Sequence, residues 1–290
     1  MKTVLVLGSG GQLGMSISKV LCEKGYKNKW LLFSRKEVDI TDPEKLKMIF
    51  EQAKPEVVVN CGAYTNVEKA EDERSEAFRV NVQGTEIVAR LCQQYGSHFI
   101  HISTDYVFDG RKNVPYEETD VPNPINWYGY TKWAGERVAI NNAENLTILR
   151  VSGLYSPWRK NFVKTMINLA IKRREMRVVY DQIHCPVSAL FVANELVRTI
   201  ENDIVPRGIY HLTNDGITSW YDFARKIIEL SGLRANIVPI RTHEFPTKAK
   251  RPAYSVLSNR KWKETTGAKT IHWEEDLYNV LRMPEMWENV

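Results

Sequence analysis

Thr3-Val-Leu-Val-Leu7 runs directly into Gly8-Ser-Gly-Gly11-Gln-Leu-Gly14, and Gln12–Lys24 then puts Leu13, Ile17, Val20 and Leu21 on one helical face. An unbroken apolar run predicts a strand buried on both sides, and the spacing after it predicts a helix. The glycines stand at the turn between the two. Gly8 suits a tight turn, Gly11 lets the backbone approach a pyrophosphate, and Gly14 lets the helix pack close to the strand. The helix N-terminus then faces the phosphates with unpaired N–H groups and a favourable dipole. Three glycines alone are weak evidence. Their place between a buried strand and a helix makes a dinucleotide cradle the better reading.

The same alternation continues outward. Trp30–Phe33, Val57–Asn60, His98–Ser103 and Leu146–Val151 read as further strands. Helical patterns separate them: one opening at Asp42-Pro43, a long one over Glu73–Tyr95, and one over Trp127–Ile140. Apolar strands alternating with helices imply an α/β, Rossmann-type, doubly wound parallel sheet. The second half is less regular. It offers helices within Ser156–Arg174, Ala189–Ile200 and Ser219–Ser231, short strands at Arg177–Tyr180 and Gly208–Leu212, and a loop-rich stretch over Val238–Leu257. We expect residues 1-150 and about 184-213 to build the sheet domain. Residues of about 151-183 and 214-290 should form a smaller C-terminal substrate-binding lobe over the sheet edge where ligands sit.

Composition narrows the function. The 290 residues carry 40 Lys+Arg against 35 Asp+Glu, a net charge of +5, with 43% hydrophobic and 26% charged residues. Collagen-like, disordered and coiled-coil classes are excluded. So mild a charge favours an acidic ligand over nucleic acid, and Lys172-Arg173-Arg174 reads as a solvated helix face. Val4–Leu7 is too short for a signal peptide or a membrane span, so the expected setting is cytoplasmic, with no membrane partner. Cys22, Cys61, Cys92 and Cys185 lack metal-ligand spacing and read as small buried side chains in a reducing compartment. No metal ligand is assigned, Mg²⁺ is not predicted, and the oligomeric state stays open between monomer and homodimer.

Two further segments carry chemistry. The second strand ends Phe33-Ser34-Arg35-Lys36, where an NAD-selective protein usually has a carboxylate for the ribose 2′-hydroxyl. A Ser and two cations favour a 2′-phosphate instead, so NADPH is the expected cofactor, with NADH as the weaker alternative; both cations also fit a solvated loop. The helix after the fourth strand holds Tyr128 and Lys132 at i and i+4, on one face. An ammonium there should lower the phenol pKa and let it protonate a carbonyl oxygen as hydride reaches carbon. Thr104, at the end of the fourth strand, offers a hydroxyl to the same oxygen. Tyr106 and Tyr130 are also phenols, and only spacing favours Tyr128.

Those motifs resemble the extended short-chain dehydrogenase/reductases, and among them the dTDP-4-dehydrorhamnose reductase family. Ile102-Ser-Thr-Asp-Tyr-Val-Phe-Asp109 is the most diagnostic stretch, with Val59-Asn-Cys-Gly-Ala-Tyr-Thr65, Val67-Glu-Lys-Ala-Glu71, Thr218-Ser-Trp-Tyr221 and Lys250-Arg-Pro252 extending the likeness. The resemblance implies catalysis by Thr104, Tyr128 and Lys132. It implies a nucleotide site at Gly8, Gly11, Gln12, Leu13, Asp39, Ile40, Gly62, Ala63 and Tyr64. It also implies substrate contacts from Val67, Tyr106, Asn161 and Arg251. Asn161 is equally suited to capping the next helix, and Arg251 to a surface loop charge. The implied reaction is reduction of the 4-keto group of a nucleotide-linked 6-deoxy sugar.

The chain departs from that family on the sugar side. Arg150-Val-Ser-Gly153 stands where the family has Arg-Thr-Ser-Trp, and Gln182-Ile-His184-Cys-Pro186-Val187 where it has Gln-x-Gly-x-Pro-Thr. An aromatic platform and a hydroxyl are lost, and Trp158 is the nearest aromatic that could refill the space. The departure keeps two alternatives open: an NADP-binding regulatory subunit like that of methionine adenosyltransferase, and a nucleotide-sugar epimerase.

Overall fold

A computed structural model describes residues 1–23, 25–172 and 175–288. Lys24, at the end of the first expected helix, and Arg173 and Arg174 of the basic cluster lie outside them. Five units of the first half run β1 (Thr3–Leu7), α1 (Gln12–Glu23), β2 (Lys29–Phe33), α2 (Pro43–Ala53) and β3 (Val57–Asn60). They continue as α3 (Val67–Ala70), α4 (Arg74–Phe78), α5 (Thr85–Tyr95), β4 (His98–Thr104), α6 (Trp127–Asn142) and β5 (Leu146–Val151). The second half holds α7 (Phe162–Ile171), β6 (Met176–Val179), β7 (Ile183–His184), α8 (Ala189–Glu201), β8 (Gly208–His211), β9 (Thr218–Ser219) and α9 (Trp220–Ser231). It ends with β10 (Ile237–Ile240), α10 (Arg260–Thr266), α11 (Trp273–Leu281) and α12 (Pro284–Trp287).

Six parallel strands form the main sheet in the order β2-β1-β3-β4-β5-β8. Successive side chains of a strand face opposite ways, so each apolar strand feeds two cores. Val4, Val6 and Val59 join Leu13, Ile17 and Val20 of α1 and Val192, Leu196 and Ile200 of α8 on one face. Leu5, Leu7 and Val58 join Phe50 of α2, Val88 and Cys92 of α5 and Ala139 of α6 on the other. A third cluster, built from Val163, Met176, Phe223, Trp273 and Leu277, holds the smaller lobe. Trp262 of α10 packs with the first core, not the third.

Three local features differ from expectation. The helix expected over Glu73–Tyr95 is interrupted by a π-helical stretch, Arg79–Gly84, between α4 and α5. Val238–Leu257 is not loop throughout, because β10 pairs in parallel with β6 despite Pro239. Cys22 is exposed rather than buried.

Candidate active site

The strand order reverses at β1 and β3, and a crevice opens at their C-terminal ends. Gly8 has φ +82°, and a Cβ there would lie 2.7 Å from the Gly62 nitrogen. A Cβ on Gly14 would lie 2.3 Å from Ser9 Cα, so only hydrogen lets α1 settle against the turn. Gly11 differs: an added Cβ meets nothing nearer than the Gly8 carbonyl oxygen at 3.4 Å, which leaves its outer face open. Filled space under Gly8 and Gly14 and free space over Gly11, at a helix N-terminus, fit a pyrophosphate.

Gly8 and Gly11 line a cavity of about 710 Å³ with Ser34, Arg35, Lys36, Asp39, Ile40, Gly62 and Ala63. Arg35 is held at its mouth by two carboxylates, Asp39 at 3.1 Å and Glu76 at 3.3 Å. Tyr64 is not among the lining residues; its hydroxyl donates to Glu73 at 2.7 Å. Arg159, which the sequence pattern did not mark, bends over the turn and donates from Nε to the Gly10 carbonyl at 2.8 Å.

A second cavity, of about 620 Å³, shares Gly10, Gly11, Cys61 and Ala63 with the first and contains Gln12, Leu13, Thr104, Tyr128 and Lys132. Two glycines set the depth of α6. A Cβ on Gly129 would lie 2.1 Å from the Tyr106 carbonyl oxygen, and one on Gly135 would lie 2.4 Å from that of Asn81. Asn126 caps the helix, its Oδ1 accepting from the Gly129 N–H at 2.7 Å. The helix therefore lies hard against the end of β4, and one turn brings Tyr128 and Lys132 beside Thr104. The Tyr128 phenol and the Thr104 hydroxyl line the same cavity. Thr104 donates to Asp105 Oδ1 at 3.0 Å and accepts from the Tyr106 N–H at 3.2 Å. Lys132 Nζ donates to the Ile102 carbonyl at 2.6 Å. Tyr130 points elsewhere, stacked on Trp127 and 39% exposed.

Burial dominates the electrostatics here. It pushes the Tyr128 phenol up to about 12, against the influence of the neighbouring Thr104 hydroxyl. It also brings the Lys132 ammonium down to about 8, against the attraction of Glu136. The expected lowering of the phenol by its neighbouring ammonium is thus not met: burial and the nearby Asp105 raise it, and Lys132, which donates to the Ile102 carbonyl, is not among its influences. Asp105 is also pushed up, to about 6, by burial, although Ser255, Ser152 and Thr104 all donate to it. It adjoins Thr104 in the chain, which is the signal that could have singled it out.

A third cavity of about 620 Å³ shares Val67, Tyr106, Phe162 and Trp220 with the second and adds Gln182 and Arg251. Arg251 Nη2 lies 2.7 Å from Glu68 Oε1. Asn161 caps α7 and also lines the second cavity. Its Oδ1 accepts from the Lys164 N–H at 3.1 Å as a cap, and its Nδ2 donates to Gln12 Oε1 at 3.1 Å inside the second cavity. Trp158 does not refill the space at Gly153; it lines a separate cavity with Lys160 and Lys164. Among the described residues, no group of three or more His, Cys, Asp or Glu could hold a metal ion, and no helix is long and apolar enough to cross a membrane.

A doubly wound sheet whose glycine cradle opens into a Thr/Tyr/Lys cleft defines an NAD(P)-dependent oxidoreductase of the short-chain dehydrogenase/reductase type. Comparison with known proteins narrows this. The RmlD substrate binding domain model matches residues 1–285. The chain is 39% identical to the spore coat polysaccharide biosynthesis protein SpsK of Bacillus subtilis (strain 168), across 97% of this chain and 98% of that protein. It is 40% identical to dTDP-4-dehydrorhamnose reductase of Aggregatibacter actinomycetemcomitans, again across 97% and 98%. A crystal structure of dTDP-4-dehydrorhamnose reductase from Bacillus anthracis str. Ames in complex with NADP is 35% identical, with a TM-score of 0.89 over 96% of this chain and 98% of that one. The chain belongs to the RmlD substrate-binding domain family, as a dTDP-4-dehydrorhamnose reductase-like enzyme.

Proposed function

We propose that the protein reduces the 4-keto group of a nucleotide-linked 6-deoxy sugar with NADPH, and that the sugar is dTDP-4-dehydro-L-rhamnose, giving dTDP-L-rhamnose. The observation that carries this is the convergence of Thr104, Tyr128 and Lys132 in one cavity, open to the glycine cradle on one side and to the lobe on the other. When bound, NADPH supplies the hydride for the ketone carbon. Gly8, Gly11, Gln12, Leu13 and Gly14 would hold its diphosphate, Asp39, Ile40, Gly62 and Ala63 its adenosine half, and Arg35 its 2′-phosphate.

Tyr128 is the proton donor. Its raised pKa keeps the phenol protonated at neutral pH, which is the state a donor needs. The Thr104 hydroxyl turns from Asp105 to donate to the carbonyl oxygen, and the Lys132 ammonium stabilises the negative charge left on Tyr128. The lobe formed by about 151-183 and 214-290 carries the sugar nucleotide, with Val67, Tyr106 and Asn161 lining its path. Arg251 suits a diphosphate because its planar fork binds oxygens in pairs, and it must leave Glu68 to do so.

Purified protein given dTDP-4-dehydro-L-rhamnose should consume NADPH mole for mole as dTDP-L-rhamnose forms. A regulatory subunit or an epimerase consumes none, and that result would overturn the proposal.

A further inference from the structure

His184 is buried, and neither of its ring nitrogens has a partner among the described residues. The fold places it there deliberately. Two-residue strands β7 and β9 pair antiparallel, with His184 opposite Thr218, and Trp220 follows at the start of α9. The imidazole therefore stacks on the Trp220 indole, with centroids 3.8 Å apart and planes 22° apart. Buried polar groups left unpaired cost stability, so such a ring calls for an explanation. Burial keeps it neutral, which removes the larger cost of a charge.

Gly153 supplies the other half. It lines the cavity that holds Thr104, Tyr128 and Lys132, and its φ is +52°. A Cβ there would lie 2.6 Å from His184 Nδ1 and 2.9 Å from Cε1. Positions 153 and 184 thus compete for one volume: a side chain at the first evicts the ring at the second. Trp220 stands at the junction of the second and third cavities, with Phe162 tilted against it at 4.6 Å.

We propose that Trp220 is the apolar platform on which the sugar ring of the substrate lies, and that His184 is the positioning residue that holds its indole there, in space that Gly153 leaves free. Sugar specificity then resides in a coupled pair, 153 and 184, rather than in a side chain at 153. This rests on the nucleotide-sugar reading above, and the binding measurements below do not need turnover.

Calorimetric titration with dTDP and with dTDP-glucose separates nucleotide from sugar contacts. Trp220→Ala and His184→Ala should each weaken dTDP-glucose by about tenfold, the scale of one aromatic contact, while dTDP and NADPH affinities stay within about twofold. In turnover the same loss should fall on KM rather than kcat. His184→Phe keeps a ring against the indole and should restore binding to within about threefold. Gly153→Trp alone should weaken dTDP-glucose by more than about tenfold, and adding His184→Gly should recover it. The strain of φ +52° is common to both backgrounds and cancels in the cycle. Equal affinity of wild type for dTDP and dTDP-glucose would overturn the platform. Additive effects of G153W and H184G would overturn the coupling. Failure of wild type to turn over dTDP-4-dehydro-L-rhamnose while these binding differences stand would instead refute the choice of sugar.

Discussion

Glu136 and Arg150 are an ion pair sealed beneath the catalytic helix, each side chain 2% exposed. Arg150 Nε and Nη2 donate to the two carboxylate oxygens at 2.9 and 2.7 Å, and the Ser103 hydroxyl donates to one of them. Nη1 of Arg150 has the ring of His211 at 3.4 Å, which burial keeps neutral. Glu136→Gln preserves shape but leaves a buried guanidinium without its counter-charge. Breaking such a pair costs about 3–5 kcal/mol. At about 2.1 cal/mol/K per residue, unfolding 290 residues releases about 0.6 kcal/mol/K, so Tm should fall by about 5–8 °C. Scanning calorimetry at pH 7.5 measures it. The pair Glu136→Leu with Arg150→Met removes both charges and should recover most of the loss. A fall in Tm below about 1 °C, or a double variant as damaged as the single one, would refute the reasoning.

Tyr128→Phe should lower kcat by about 10²–10⁴-fold with NADPH affinity nearly intact; ordinary turnover would show that another group gives the proton. Gly14→Ala drives a Cβ into Ser9 Cα and should abolish measurable NADPH binding, and unchanged affinity would mean the turn does not hold the diphosphate. Arg35→Ala should raise KM for NADPH by about tenfold and leave KM for NADH unchanged; equal shifts in both would remove Arg35 from 2′-phosphate recognition. Stability should fall as pH drops below the ordinary histidine value. Burial holds His184 and His211 down at about 3, His98 at about 4 and His101 well below its usual range, so the unfolded chain takes up protons that the folded one refuses. Each contributes stability that is complete above pH ~6.5 and is lost at about 1.4 kcal/mol per unit below it. Asp105, raised to about 6, offsets part of this because its folded form gains the proton first. Glu118 and Asp276, also raised by burial, offset it in the same sense. A flat denaturation midpoint between pH 7.5 and 5.5 would contradict the histidine argument.

The sheet and its cradle were legible because each rests on adjacent residues. Val57–Val59 is apolar without interruption and Gly8 to Gly14 is one turn, so local pattern and tertiary role coincide. The π-helical stretch was not legible: Ala77, Val80, Ile87, Val88 and Leu91 keep an apolar rhythm that also fits an ordinary helix. β10 was hidden by Pro239, which tolerates pairing because its sheet has only two strands and leaves an edge free. Tyr128, Lys132 and Thr104 could be ordered along the chain, but the phenol pKa could not be foreseen, since depth of burial is set by Gly129 and Gly135 against distant carbonyls. Arg159 carries no local signature, and His184 shows only as a histidine where the resembled family has glycine. Their partners lie about 150 and 36 residues away, at Gly10 and Trp220, and only folding reveals them.

The lobe's apolar cluster shares no member with the two that flank the main sheet. On the proposed reading that this lobe carries the sugar, repacking that cluster reshapes the walls around Phe162 and Trp220 while the two cores beneath the glycine turn keep their members. New sugars could then be tried in one compartment with the electron-delivery half inherited unchanged.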